Sequence, residues 1–397
     1  MQEVLVPETG SGRIDYIDPG RIDYVDPGRI DYVDNLRVFL TALVVCHHQA
    51  IAFGAPGGWY YVVTAPKDIP SLVVMTLFVA VNQAFFMSLF FFVAAYFTRM
   101  SLGRKGWRRF VRDRLIRLGI PLVVYYFLLN PSVVYIVFLF SGRTRAGYFE
   151  FMADKGPDLF GSGPMWFVLS LIMFTAVYVA ISAGSRRGDA GRRVPLPGNG
   201  AVLAFILVIG AVTFPMRLVY PTGTGFLNLQ LGYFPLYICM FAFGIVAYRS
   251  SWLDQLGRRQ ANIWFVVAIA AIFTLPVIAF LGGAFTGNED LFQGGLTWQA
   301  YAYAAWEPFV CIGISMKLLV FFRERLNRAN ALTARLSKSA YTVYILHPFF
   351  VVTATGLIKD LALPPLALAL LACSVVLIVA FTCANLIRQV PLLNKVL

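Results

Sequence analysis

The apolar positions of this chain gather into long, nearly unbroken runs, with no alternation at a period of two and no amphipathic stripe. A helix needs about 20 apolar residues to cross roughly 30 Å of hydrocarbon. Ten runs meet or approach that length: 36–53, 72–98, 117–140, 164–183, 200–217, 231–249, 262–282, 298–322, 339–358 and 363–387. The fifth is short and the eighth long. The pattern predicts an all-α polytopic membrane helix bundle of about ten transmembrane helices.

The basic residues test that count. With the N-terminus in the cytoplasm, 27 of the 33 Lys and Arg fall on the inner side. The six left outside are Lys67, Arg143, Arg145, Lys155, Arg217 and Lys359. Cytoplasmic loops retain Lys and Arg, and the alternation holds at every loop, so both termini are expected in the cytoplasm. The net charge of +13 is therefore mainly a topology signal, and no nucleic-acid partner is expected. No apolar run precedes the first span, so no cleavable leader is expected.

Residues 1–30 read as a flexible cytoplasmic tail. It carries three eight-residue units, GRIDYIDP, GRIDYVDP and GRIDYVDN, too short to stack as a solenoid. Residues 31–397 form the membrane domain. The linker at 184–199 is rich in Gly, Pro and Arg, and the outer loop at 141–163 is long, with no readable fold.

Composition agrees: 59% of residues are hydrophobic, 13% are charged and the mean hydropathy is +0.71. Soluble domains hold about 25% charged residues. All five cysteines (Cys46, Cys239, Cys311, Cys373, Cys383) fall in apolar runs. That odd set, with none in a loop, suggests small buried hydrophobes and neither a disulfide framework nor a metal site.

Against this background a few ionisable residues stand out. His47 and His48 lie in the first run, Glu307 in the eighth and His347 in the ninth. An ionisable group at the bilayer centre costs about 2.5–3.5 kcal/mol on insertion scales, so such residues face the bundle interior and mark function. At 1.5 Å per residue, His48 sits roughly 18 Å and His347 roughly 12 Å from the inner end of their helices, and Glu307 roughly 14 Å below the outer surface. All three are near the midplane. A neutral imidazole can take a proton from a hydroxyl nucleophile, so His48 is the candidate general base. Glu307 would orient its ring or stabilise the imidazolium. The plainer alternative is a hydrogen bond to another helix. His47 points about 100° away from His48 around the helix, so one of the two is central. Pro308 and Pro348, directly after Glu307 and His347, each break helical hydrogen bonding and often mark a lined cavity.

Arg37 opens the first helix, and Arg114 and Arg117 open the third, three residues apart and on one face. They either set topology or bind phosphates through forked hydrogen bonds. No Walker or GxGxxG loop occurs, which argues against ATP or dinucleotides. Trp59, Tyr60 and Tyr61 in the first outer loop, with Trp166 at the start of the fourth helix, read as interfacial anchors, with sugar stacking as the functional alternative.

Together these residues form a resemblance. Arg37 and His48, within DNLRVFLTALVVCHH, resemble the first-helix motif of the acyltransferase-3 family of integral membrane acyltransferases. Arg114, Arg117 and Pro121 are similar to its third-helix start, and SAYTVYILHPF at 339–349 to its late Ser, Tyr and His-Pro element. FFMSLFFFVAAYF and GPMWFVLSLI resemble its second and fourth helices. The resemblance covers about residues 31–390. It implies transfer of an acetyl, succinyl or similar group from cytoplasmic acyl-CoA, as a co-substrate with no bound cofactor, to a hydroxyl of a glycan, lipid or small metabolite. It also implies that Arg37, Arg114 and Arg117 contact the phosphates of coenzyme A and that His48 is the catalytic base, with His347 joining it as a candidate. Glu307 rests on its depth alone. A bacterial inner membrane is the expected location. The competing class is a proton-coupled transporter or exporter, which also uses midplane charges and proline-broken helices, although the halves of this chain show no internal repeat.

Overall fold

The computed structural model describes residues 30–63, 68–184, 193–284, 286–328 and 330–397. The first two repeat units of the tail and half of the 184–199 linker lie outside these, whereas the third unit, 28–35, runs into the first helix. Every regular element among the described residues is helical. The ten long helices are α1 (Asp31–Ala52), α2 (Ile69–Lys105), α3 (Trp107–Phe140), α4 (Trp166–Gly184), α5 (Asn199–Val219), α6 (Phe234–Ser250), α7 (Arg258–Leu281), α8 (Trp298–Arg325), α9 (Ala331–Ile358) and α10 (Pro365–Ile387).

Among the described residues, nine helices are long and apolar enough to cross a membrane. The long helix that falls short is α1. Its 22 residues span about 33 Å, but Arg37, His47, His48 and Gln49 lower its hydropathy. It tolerates them because it is central, packed on α2, α8, α9 and α10. The protein is a multi-pass helical membrane bundle.

The helices outrun the apolar stretches that announce them. α2 continues to Lys105, α3 begins at Trp107, α8 ends at Arg325 and α9 begins at Ala331. Hydropathy falls where charged residues enter, whereas backbone hydrogen bonding continues into the interface. Capping finishes the job at two ends. Thr297 accepts a hydrogen bond from the Ala300 N–H, and Asn330 and Thr333 form a capping box.

Small residues set the closest crossings. A Cβ at Gly244 of α6 would overlap the Phe92 carbonyl of α2, and one at Gly313 of α8 would overlap the Trp264 carbonyl of α7. Backbones approach this closely only where no side chain intervenes, the usual basis of helix pairing in lipid. α7 turns Val266, Phe273 and Phe280 outward, as a lipid-facing helix does.

α3 is not a regular α-helix. Widened π turns occupy Leu115–Gly119 and Tyr125–Leu129, and each ends two residues before a proline, Pro121 or Pro131. Proline supplies no N–H and its ring clashes with the carbonyl four residues back, so the preceding turn opens. Such turns are frequent at functional sites. The first begins directly after Arg114 and contains Arg117.

One face of the bundle is held by polar ties between helix ends. Asn35 donates to the carbonyls of Leu326 (2.7 Å) and Arg328 (3.2 Å), joining the start of α1 to the end of α8. Arg323 donates to the carbonyls of Leu253 and Leu256 (2.6 Å for the latter), and Trp252 to that of Val194 at 2.8 Å. Lys105 pairs with Asp113 at 2.6 Å across the α2–α3 turn. At the opposite end, the 141–163 loop contains a short helix, Tyr148–Lys155, and a 3₁₀ turn.

Candidate functional site

α1 and α9 run side by side and bring His48 and His347 into direct contact, Nδ1 to Nε2 at 3.1 Å. The rings stack at 5.1 Å and 19°. Counted from the helix starts at Asp31 and Ala331, the two lie about 26 Å and about 24 Å along their helices. The sequence placed both shallower because these helices start well before their apolar runs. Gln49, the next residue of α1, donates to Thr355 Oγ1, about two turns past His347 on α9, at 2.8 Å and ties the two helices together.

The hydrogen bonds assign the tautomers. His347 Nδ1 lies 2.6 Å from the Tyr344 carbonyl. A carbonyl only accepts, so this Nδ1 carries the proton and, in the neutral ring, Nε2 carries the lone pair. His48 Nδ1 must then donate to it, which leaves the lone pair of His48 on Nε2. His347 is fully buried, whereas His48 is only partly so. The pair is a relay with a fixed inner end and an accessible base at the outer one. His47 points elsewhere, against Phe86 at 5.0 Å.

Trp59 covers the pair. Its ring stacks on His48 at 3.9 Å and 20°, and lies 5.7 Å from His347. The expectation that Trp59, Tyr60 and Tyr61 anchor the protein at the interface is corrected here: the loop after α1 folds back into the bundle. Tyr60 donates to Asn130 Oδ1 and accepts from the Tyr125 hydroxyl at 3.0 Å. Burial holds the Tyr60 phenol above its ordinary pKa range, so it stays a donor. Asn130 in turn donates to the Leu159 carbonyl at 2.7 Å, tying the 141–163 loop to the same point. Tyr61 reaches the Phe140 carbonyl at 3.3 Å. With its neighbours clamped to α3, Trp59 has one place to go. Its indole N–H is buried without a partner.

Glu307 is not at this site. Its carboxylate pairs with Arg217 near the end of α5, and it bonds neither histidine. Arg217 also donates to the Gly232 carbonyl at 3.3 Å and lies over the rings of Tyr233 (5.0 Å) and Tyr303 (5.2 Å). Arg217, which the charge count leaves among the outer basic residues, is completely buried within the bundle. Equal depth does not mean a shared face. In a dry interior a carboxylate takes the guanidinium within reach, and α5 packs on α8.

The three arginines do converge. Arg37 and Arg117 both lie within electrostatic range of Arg114, as does Tyr341. Arg114 donates to Thr98 Oγ1 at 2.7 Å, and among the described residues Arg37 pairs with Asp34 at 3.4 Å. Arg388 of the chain's last turns, which no sequence motif marks, is within range of Arg117. Four like charges thus lie near one another, at the ends of α1, α3 and α10. From this cluster Tyr341, Tyr344 and His347 form one stripe along α9. The two tyrosine rings stack at 6.5 Å, and Tyr344 lies 5.9 Å from His347. The Tyr341 hydroxyl is buried and unpartnered. The Tyr344 hydroxyl donates to the Pro164 carbonyl, joining the late motif to the GPMW segment.

A membrane bundle with a two-histidine relay at its heart and clustered arginines at one end defines a candidate group-transfer site. A family model described as an acyltransferase domain matches residues 30–385, and the chain belongs to this acyltransferase-3 family. It is accordingly an acyltransferase of the membrane, working between an acyl donor, an acceptor and the bilayer. No curated protein and no solved structure matches the chain.

Proposed function

We propose that this protein transfers an acetyl, succinyl or similar acyl group from acyl-CoA to a hydroxyl of a glycan, lipid or small metabolite, as a membrane-bound O-acyltransferase. The observation that carries the reading is the His48–His347 relay, which leaves an accessible lone pair on His48 Nε2.

The arginine-bearing face is cytoplasmic, following the positive-inside rule, in a bacterial inner membrane. The donor's phosphates bind Arg37, Arg114 and Arg117. Arg37 and His48 are eleven residues apart on one helix, about 16 Å, so the donor must be anchored at one end and react at the other through an extended arm. A phosphopantetheine thioester has that form. The Tyr341–Tyr344 stripe runs between the two points.

In the reaction, His48 Nε2 takes the proton of the acceptor hydroxyl as its oxygen attacks the thioester carbonyl. The new C–O bond forms, the C–S bond breaks, and the thiolate leaves with the proton that His48 returns. His347 accepts the His48 Nδ1–H bond throughout and so holds the ring in the competent tautomer. General-base catalysis of this kind contributes about 10²–10⁴-fold.

The test is incubation of the protein in nanodiscs with radiolabelled acetyl-CoA and measurement of released CoA, with His48→Ala as control. Turnover that depends on His48 is expected, even as slow hydrolysis without an acceptor. Wild-type turnover in a folded His48→Ala sample would remove His48 from its role. Failure of any acyl-CoA to bind would overturn the donor assignment.

A further inference from the structure

A base that takes a proton in a dry site becomes a cation there, and something must stabilise that cation. Hydrolase triads use a carboxylate. The groups that interact with the His48 ring are His347, His47 and the Val44 backbone. The other titratable groups near the relay are Tyr344 on α9, Tyr60 on the loop and Tyr125 on α3. Among the described residues none of these is a carboxylate, and Glu307 is committed to Arg217. The two neighbouring histidines offer no negative charge.

What His48 does have is the face of an indole. Trp59 lies nearly parallel to it at 3.9 Å, the shortest ring separation in the described structure. An aromatic face carries negative electrostatic potential, tryptophan most strongly, and it attracts a cation within about 6 Å of its centroid, more so where water is excluded. A neutral imidazole gains much less from the same geometry, so the contact favours the protonated state selectively. That selectivity distinguishes a catalytic contribution from mere packing. The surrounding architecture holds the geometry: Tyr60 is clamped by Asn130 and Tyr125, and Val63 N–H bonds the Ala52 carbonyl at 2.9 Å.

We infer that Trp59 is the positioning residue that stabilises the His48 imidazolium, through its ring face, in the step where a carboxylate would otherwise serve. The inference rests on the reading of His48 as the base. It assigns the first outer loop a place in the chemistry.

The experiment replaces Trp59 with mono-, di- and trifluorotryptophan by site-specific incorporation in the full-length protein. Fluorine withdraws electrons from the ring face while nearly preserving its shape, so folding and packing are held constant. Two readouts are taken in nanodiscs. The first is the titration of ¹⁵N-labelled histidine, which is tractable because the chain has three histidines. The second is turnover of acetyl-CoA.

Because the indole favours the charged form, weakening it lowers the His48 midpoint, stepwise and by about one pH unit at full fluorination. Turnover falls in the same order, about tenfold overall. If His48 stays neutral across the accessible pH range, the graded loss of turnover alone carries the result. A series flat in both readouts overturns the inference. Absence of turnover in the unmodified protein overturns the acyl-CoA reading instead, and the titration series, flat or graded, still decides the role of Trp59.

Discussion

Arg217 and Glu307, ninety residues apart, form an ion pair whose side chains are 0% and 3% exposed. Each keeps one buried polar atom without a partner, Arg217 Nη1 and Glu307 Oε1. Removing one member strands the other as an uncompensated buried charge, at about 3–5 kcal/mol, while replacing both with apolar residues is far less costly. Glu307→Ala is therefore expected to lower the thermal unfolding temperature in detergent markedly, and Arg217→Leu with Glu307→Leu to recover most of it. Turnover per folded molecule in Glu307→Gln should stay within a few-fold of wild type. A loss as deep as that of His48→Ala would bring Glu307 back to the catalytic centre.

His347 holds His48 from behind. His347→Ala should reduce kcat by about 10²-fold with little change in the donor's KM, since no donor contact is lost. His347→Gln offers an amide that can donate to the Tyr344 carbonyl and accept from His48 Nδ1, and should retain more activity than alanine. The base works only when unprotonated, so the wild-type rate should fall as pH drops through the titration of the pair. Steady-state kinetics across pH tests all three statements, and equal defects in the two variants would contradict the tautomer relay.

The arginine cluster should act on binding. Arg37→Ala and Arg117→Ala each remove a charge-assisted hydrogen bond worth about 1.5–3 kcal/mol, so the KM for acyl-CoA should rise about 10- to 100-fold with kcat largely kept. Lysine at either position should restore only part, because it lacks the fork. Raising the salt concentration should weaken wild-type donor binding more than that of either variant. A kcat defect with normal KM would place these side chains elsewhere in the cycle.

Asn130 joins two loops through one side chain, accepting from Tyr60 and donating to the Leu159 carbonyl. Asn130→Ala leaves the Tyr60 hydroxyl and that carbonyl without this partner, at about 1–3 kcal/mol for each buried group left unsatisfied. Limited proteolysis should then cut the α1–α2 loop sooner, and turnover should drop with it as Trp59 loses its seat. Unchanged protease sensitivity would mean that the loop is held by other contacts.

The sequence by itself determined the class of this protein. Spans of about 20 apolar residues and the inward bias of Lys and Arg are one-dimensional signals, because the bilayer imposes thickness and charge asymmetry on every segment separately. The candidate residues were legible for the same reason: Arg37, Arg114, Arg117, His48 and His347 are costly where they stand. Which of them meet is another matter. Helix depth can be counted along the chain, but rotation and neighbour are set by packing, so Glu307, correct in depth, turned to Arg217 while His347 took the place beside His48. The clamp of Tyr60 by Asn130 and Tyr125, and the flat seating of Trp59 on His48, depend on contacts between residues tens of positions apart. Only the tertiary structure decides these, because a side chain in a dry interior takes the partner its helix is packed against.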